Sequence, residues 1–127
     1  MAAWNDSELR RLGDAEELEI APVRRDGTRR EPRPIWVVRA GDDLYVRAAY
    51  GSGGGWYRIA RTSGQAGVSA GGLEEDVNAE DADEAVLDLV DAAYREKYGR
   101  RYPTIVDSIT DEEHRTTTLR LVPRDAH

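Results

Sequence analysis

Arginine and aromatic residues are concentrated between positions 33 and 58, which carry Arg33, Arg39, Arg47 and Arg58 together with Trp36, Trp56, Tyr45, Tyr50 and Tyr57. Guanidinium groups grip phosphate through paired N–H bonds and aromatic faces stack on flat rings, so these residue types suit a planar anionic ligand. The run Gly51-Ser52-Gly53-Gly54-Gly55 has so little side-chain bulk that its backbone amides could approach an anion. It lacks the G-x-G-x-x-G register and the terminal Lys-Ser/Thr of a nucleotide loop, and its plain alternative is a flexible connector. Arg47 is the leading ligand candidate because alternation places it on one strand face with Tyr45. The plain alternative for each arginine is ion pairing. Seventeen arginines stand against one lysine, Lys97, a bias that a GC-rich genome produces without selection for guanidinium chemistry. Trp36 sits in an apolar run and reads first as a packing residue, whereas Trp56, beside the glycines, reads equally as packing or stacking.

Elsewhere the chemistry is sparse, and no complete catalytic motif is present. Asp88 and Asp91 fall on one side of a helical segment with Arg95 four residues beyond Asp91, which reads as a solvated face with an ordinary ion pair. His114 lies beside Glu112 and Glu113, yet the second histidine, His127, is at the chain end, and no metal site is expected. Cysteine is absent, which excludes disulfides, thiolate metal sites and a thiol nucleophile. A net charge of −7 disfavours general binding to nucleic acid or anionic membranes. The N-terminus lacks the apolar core of a signal peptide and no run approaches a membrane span, so a cytoplasmic location is expected.

Short elements must position these residues. Residues 6–13 form a helix with Asp6 as candidate N-cap, and Glu17 to Val23 alternates as a strand running into the turn Arg25-Asp26-Gly27-Thr28. Arg29 to Pro34, basic and with two prolines, suits an edge or connector. Ile35 to Ala40 reads as one strand covered on both faces, and Gly41-Asp42-Asp43 turns the chain into a partner strand, Leu44 to Tyr50. Trp56 to Arg61 reads as a helical turn, Ser63 to Gly67 as a connector, and Val68–Ala70 with Leu73–Ala79 as strands interrupted at Gly71-Gly72. A capping box, Asp81 and Glu84, opens a helix over 82–98 whose stripe is Val86, Leu87, Val90, Ala93, Tyr94 and Tyr98, ended by Gly99. Pro103 starts a further helix to Ile109, and Thr116 to Val122 closes the fold with Thr117, Leu119 and Leu121 inward. About six strands joined by glycine turns, with helices at the periphery, predict an α+β domain over residues 1–127, a small antiparallel split β-barrel.

The ordered series Pro34-Ile35-Trp36-Val37-Val38-Arg39, Leu44-Tyr45-Val46-Arg47, Trp56-Tyr57-Arg58, Ala70-Gly71-Gly72, Asp76-Val77, Ala92-Ala93-Tyr94-Arg95, Lys97-Tyr98-Gly99 and Thr117-Thr118-Leu119-Arg120-Leu121-Val122-Pro123-Arg124 resembles an uncharacterised bacterial domain family of unknown function. The resemblance spans about residues 9 to 124. More distantly, the plan resembles the FMN-binding split β-barrel superfamily of pyridoxamine-phosphate oxidases and deazaflavin-dependent nitroreductases. That resemblance implies a homodimer with FMN or a deazaflavin at the subunit interface. Carried over by position, it puts Arg39, Tyr45, Arg47, Ser52 and Arg58 near a phosphate, and Trp36, Trp56 and Tyr57 near the ring. Two other functions remain open. One is a non-enzymatic domain whose hairpin aromatics serve dimerisation or partner docking. The other is a cofactor-independent biosynthetic enzyme acting through Tyr45, Tyr57 or a buried aspartate.

Overall fold

Period-two alternation and glycine turns give seven antiparallel strands, and a computed structural model describes residues 3–49, 51 and 55–124 of the protein. Helix α1, Asp6–Gly13, opens on a capping box. The Asn5 side chain accepts from the Glu8 amide at 2.8 Å and Glu8 accepts from the Asn5 amide at 3.0 Å, so the cap lies one residue before Asp6. There follow β1 (Leu18–Pro22), β2 (Arg33–Ile35), β3 (Val38–Ala40), β4 (Asp43–Val46), α2 (Gly55–Ser63), β5 (Gln65–Ala70) and β6 (Leu73–Asp81). A 3₁₀ turn, Glu84–Val86, leads into α3 (Leu87–Tyr98), then α4 (Pro103–Ile109), α5 (Glu112–Arg115) and β7 (Leu119–Pro123).

The strands form one sheet in the order β2-β1-β5-β6-β7-β4-β3. This order corrects the reading of Ile35 to Ala40 as one strand covered on both faces. Ile35 pairs with Leu18 at one edge of the sheet, whereas Val38 pairs with Tyr45 at the other. Only Trp36 and Val37 separate the two edges along the chain. The sheet must therefore curl until its edges nearly meet, and the apolar IWVV run is covered by the barrel interior and α3 instead of by two sheet neighbours. The segment read as a connector at 63–67 is the start of β5, because Gln65, Ala66 and Gly67 pair with Asn78, Val77 and Asp76. Gly71 and Gly72, at φ 57° and 79°, make the β5–β6 turn, a backbone that side chains with a Cβ resist. The expected cap at Asp81 is overridden because that residue pairs with Leu119, and Asp83 caps instead by accepting from the Ala85 amide at 2.9 Å.

Two cores flank the curled sheet. The inner core holds Leu18, Ile20, Leu44, Val46, Val68, Val77, Leu119 and Leu121, closed by Leu9 and Leu12 of α1 and by Tyr57 and Ala60 of α2. Trp4 completes it, its indole N–H donating to the Leu121 carbonyl at 2.8 Å. The outer core packs Val38 and Tyr45 against Val90, Tyr94 and Tyr98 of α3 and Val106 and Ile109 of α4.

The outer core also fastens the seam. Lys97 Nζ donates to the carbonyls of Gly13, Ala15 and Val37 at 2.7, 2.6 and 2.6 Å, matching its three N–H bonds with three acceptors. The Tyr98 hydroxyl accepts from the Val37 amide at 3.3 Å and donates to the Glu16 carbonyl at 2.8 Å. The end of α3 thus ties the Trp36-Val37 crossing to the chain leaving α1. Burial pushes Lys97 down to about 8, opposed by Asp14 and Glu16, and pushes the Tyr98 phenol up.

Candidate functional site

Beside the seam lies a groove of about 300 Å³ lined by Glu17, Arg33, Pro34, Ile35, Trp36, Arg47, Ala49, Trp56, Ile105 and Ile109. Strand β2 and the crossing supply one wall, the first turn of α2 supplies Trp56, and α4 supplies the two isoleucines. Helix α4 explains the difference between them: Val106 and Ile109 are buried, whereas Ile105 is 47% exposed on the groove side. Trp36 stacks on Tyr98 with ring centroids 4.0 Å apart and planes 3° apart, so one of its faces is already covered.

Arg47 forms the back of the groove with its side chain fully buried. Its Nε donates to Thr118 Oγ1 at 2.8 Å, Nη1 to Asp91 Oδ1 at 2.5 Å and to the Ile109 carbonyl at 3.1 Å, and Nη2 to the Leu87 carbonyl at 3.2 Å. Its flat face lies 5.3 Å from the Tyr94 ring centroid. Four of the guanidinium's bonds are therefore taken by protein. Asp91 in turn meets Arg115 at 3.0 Å, and Arg115 meets Asp88 at 2.5 Å and Glu112 at 3.2 Å. The reading of Asp91 as a solvated partner of Arg95 is thereby corrected: Asp91 is 7% exposed and binds a buried cation from β4's end. Its position gave a signal, since 91 falls three and four residues from Tyr94 and Leu87 on the apolar stripe.

The remaining candidates are dispersed. Tyr57 lies in the inner core and Tyr45 in the outer one, burial pushing both phenols up. Arg39 is held at the β3–β4 turn, its Nε donating to the Gly41 carbonyl at 3.0 Å and Nη2 lying 3.6 Å from Asp42. Ser52 lies outside the described residues, as do Tyr50, Gly53, Gly54 and His127. His114 has Nδ1 2.7 Å from Asp111 and Nε2 3.1 Å from the Ala49 carbonyl, so both ring nitrogens face protein acceptors.

Arg58 belongs to a different cavity, of about 380 Å³, on the outward side of α2. There it faces Arg24 and Arg25 from the turn after β1, with Ile59 and Thr62 between them. The structure thus brings Trp36, Arg47 and Trp56 together and sets Arg58 apart. Arg24, Arg25 and Ile105 escape a reading centred on positions 33 to 58, and Arg33, inside that stretch, is not among the residues the resemblance puts near a phosphate. Only the folded turn carries Arg24 and Arg25 to α2.

Residues 8–121 match a family model described as uncharacterized protein conserved in bacteria (DUF2255), and the chain belongs to that family. No curated protein sequence matches it. Among solved structures it is similar to HutZ, the heme storage protein from Vibrio cholerae, with a TM-score of 0.62 and 14% identity over 88% of this chain and 84% of that one. A putative pyridoxamine 5'-phosphate oxidase from Listeria innocua aligns with a TM-score of 0.58 and 15% identity over 87% and 85% of the two chains. An F420 reductase aligns with a TM-score of 0.52 and 14% identity over 98% and 97%. The shared feature is the α+β split barrel, as the sequence predicts. No helix among the described residues is long and apolar enough to cross a membrane.

Proposed function

We propose, taking membership of this bacterial family and its split-barrel likeness as the premise, that the protein binds a planar cofactor of the flavin or deazaflavin type in the groove. The carrying observation is the convergence of Trp36, Trp56, Ile35 and Ile105 around a cavity of about 300 Å³, the lower end of the range that takes a small organic ligand. The open face of Trp36 and the ring of Trp56 would sandwich or flank a flat ring, and Ile105 would seal its edge. Arg33 is the cation at the rim suited to the ligand's charge, because protein acceptors take four of Arg47's five N–H bonds. A second copy covering the half-exposed Ile105 would complete the groove, giving a homodimer. When bound, such a cofactor supplies hydride or electron transfer, and the chain's residues bind it, orient it and exclude water. Heme, which the Vibrio relative's name mentions, fits less well here, since both nitrogens of His114 are engaged.

The test is to titrate FMN, FAD, F420 and heme against tryptophan fluorescence, and to repeat with Trp56→Ala and Arg33→Ala. Micromolar quenching by a flavin or deazaflavin, weakened about tenfold in either variant, a loss of ~1.4 kcal/mol, is the expected result. Absence of a response to the flavins and F420 at high micromolar concentration would sink the reading.

A second reading, docking of a protein segment without catalysis, draws on the stacking of Trp36 against Tyr98 and on Arg47's burial. Both make the groove wall more apolar than an anion site requires. Sedimentation of the protein with and without cofactor separates the two, because a docking face would show association that no cofactor alters.

A further inference from the structure

Among the described residues, the cavity on the outward side of α2 is lined by three arginines and by no carboxylate. Residues 55, 58, 59 and 62 share one helix face by their spacing, opposite the buried pair Tyr57 and Ala60. The Arg24-Arg25 turn folds over that face. Arg24 donates through Nη1 to the Arg29 carbonyl at 3.1 Å and to Thr28 Oγ1 at 3.4 Å, and its Nε and Nη2 have no hydrogen-bond partner among the described residues. Arg25 and Arg58 have no ion-pair or hydrogen-bond partner among the described residues, although Arg29, Arg39, Arg47, Arg61, Arg101, Arg115 and Arg120 all have carboxylate partners. A fourth cation stands at the edge: Arg30 lies against the Gly55 backbone, where an added Cβ would meet its guanidinium. The first turn of α2 carries no acidic residue to offset them.

Arginines without an ion pair are common among the described residues, but what sets these three apart is that they face one cavity, with Asp26 beside Arg24 as the nearby counter-charge. Like charges facing one cavity repel, and an anion between them removes the repulsion while gaining charge-assisted bonds. Ile59 supplies an apolar floor and Thr62 a hydroxyl. We propose that Arg24, Arg25 and Arg58 form an anion site for a phosphate monoester, separate from the groove, with the ester's organic stem resting on Ile59. The site does not depend on the cofactor reading, because no residue of the groove lines this cavity.

The test uses the full chain, phenyl phosphate and inorganic phosphate, with amide shifts followed by NMR at low salt. Expected are saturable shifts at Gly55, Arg58, Ile59 and Thr62, weakened about tenfold or more in Arg25→Gln and in Arg58→Gln. Arg120→Gln, whose arginine pairs with Asp43 across the sheet, should leave them unchanged. Tighter binding of phenyl phosphate than of inorganic phosphate supports an ester, and equal binding overturns the part assigned to Ile59. No saturation at about 10 mM of either anion would overturn the site. So would undiminished binding in a folded Arg58→Gln protein, or shifts centred on Trp36 and Ile105.

Discussion

Arg47 and the trio Arg24, Arg25 and Arg58 carry the same functional group into opposite circumstances. Arg47 is sealed behind β4 and α3 with Thr118, Asp91 and two carbonyls around its guanidinium, whereas the trio faces an open cavity with most of its donors unpartnered among the described residues. The difference shows that residue type and strand position do not identify a ligand-binding arginine. What matters is how many N–H bonds the fold has already consumed. A saturated guanidinium contributes to the fold, and an unsaturated one near others of its kind is available to an anion.

The comparison breaks most directly at Arg47. Replacing it with alanine leaves Asp91 with Arg115 alone, removes the donor to Thr118 and to two buried carbonyls, opens a cavity in the outer core, and should cost about 3–5 kcal/mol, a large part of a small domain's stability. Urea unfolding monitored by tryptophan fluorescence would measure it, and a loss below about 1 kcal/mol would contradict the assignment of Arg47 to the fold. The same measurement on Tyr98→Phe tests a neutral group in a comparable setting. Loss of the hydroxyl leaves the Val37 amide and the Glu16 carbonyl without this partner, for an expected cost of about 1–3 kcal/mol.

Smaller is the effect of pH on the seam. Lys97 is pushed from its ordinary 10.5 to about 8, so between those values the unfolded chain retains a proton that the folded chain has released. Stability should therefore rise from pH about 8 toward 10. Above 10 it should fall, because burial holds Tyr94 and Tyr98 neutral in the folded protein while their ordinary value is 10.0. Unfolding curves at pH about 7, 9.5 and 11 on wild type and Lys97→Met check this: the rise should vanish in the variant and the fall persist. Smallest of all, Arg25→Ala and Arg58→Ala should change stability by no more than about 0.5 kcal/mol, since their exposed side chains are without ion-pair partners among the described residues.

Much of this was legible in the residues. Glycine turns, the stripe of α3 and the proline opening α4 announced the elements, and the ordered motifs announced the family. The strand Ile35–Ala40 was misread because a continuous apolar run has no mark for the point where it leaves one sheet edge and joins the other. Asp91 could have been placed inside from its spacing, but its partner could not, since Arg47 lies forty-four residues away and its alternation with Tyr45 fits burial and exposure equally. The arginine cavity is not legible locally at all: it joins a turn at 24–25 to a helix at 55–63, and only the fold puts them together.

The crossing at Trp36-Val37 also limits how far the barrel can breathe. Ile35 and Val38 belong to opposite margins of the sheet, yet three Cα steps span at most about 10–11 Å. The chain acts as a belt of fixed girth, and Lys97 and Tyr98 are its buckle. Any widening beside the groove must therefore come from α3 and α4 lifting away, not from the strands parting. Slow amide exchange at Val37 should then rise and fall with that of α3.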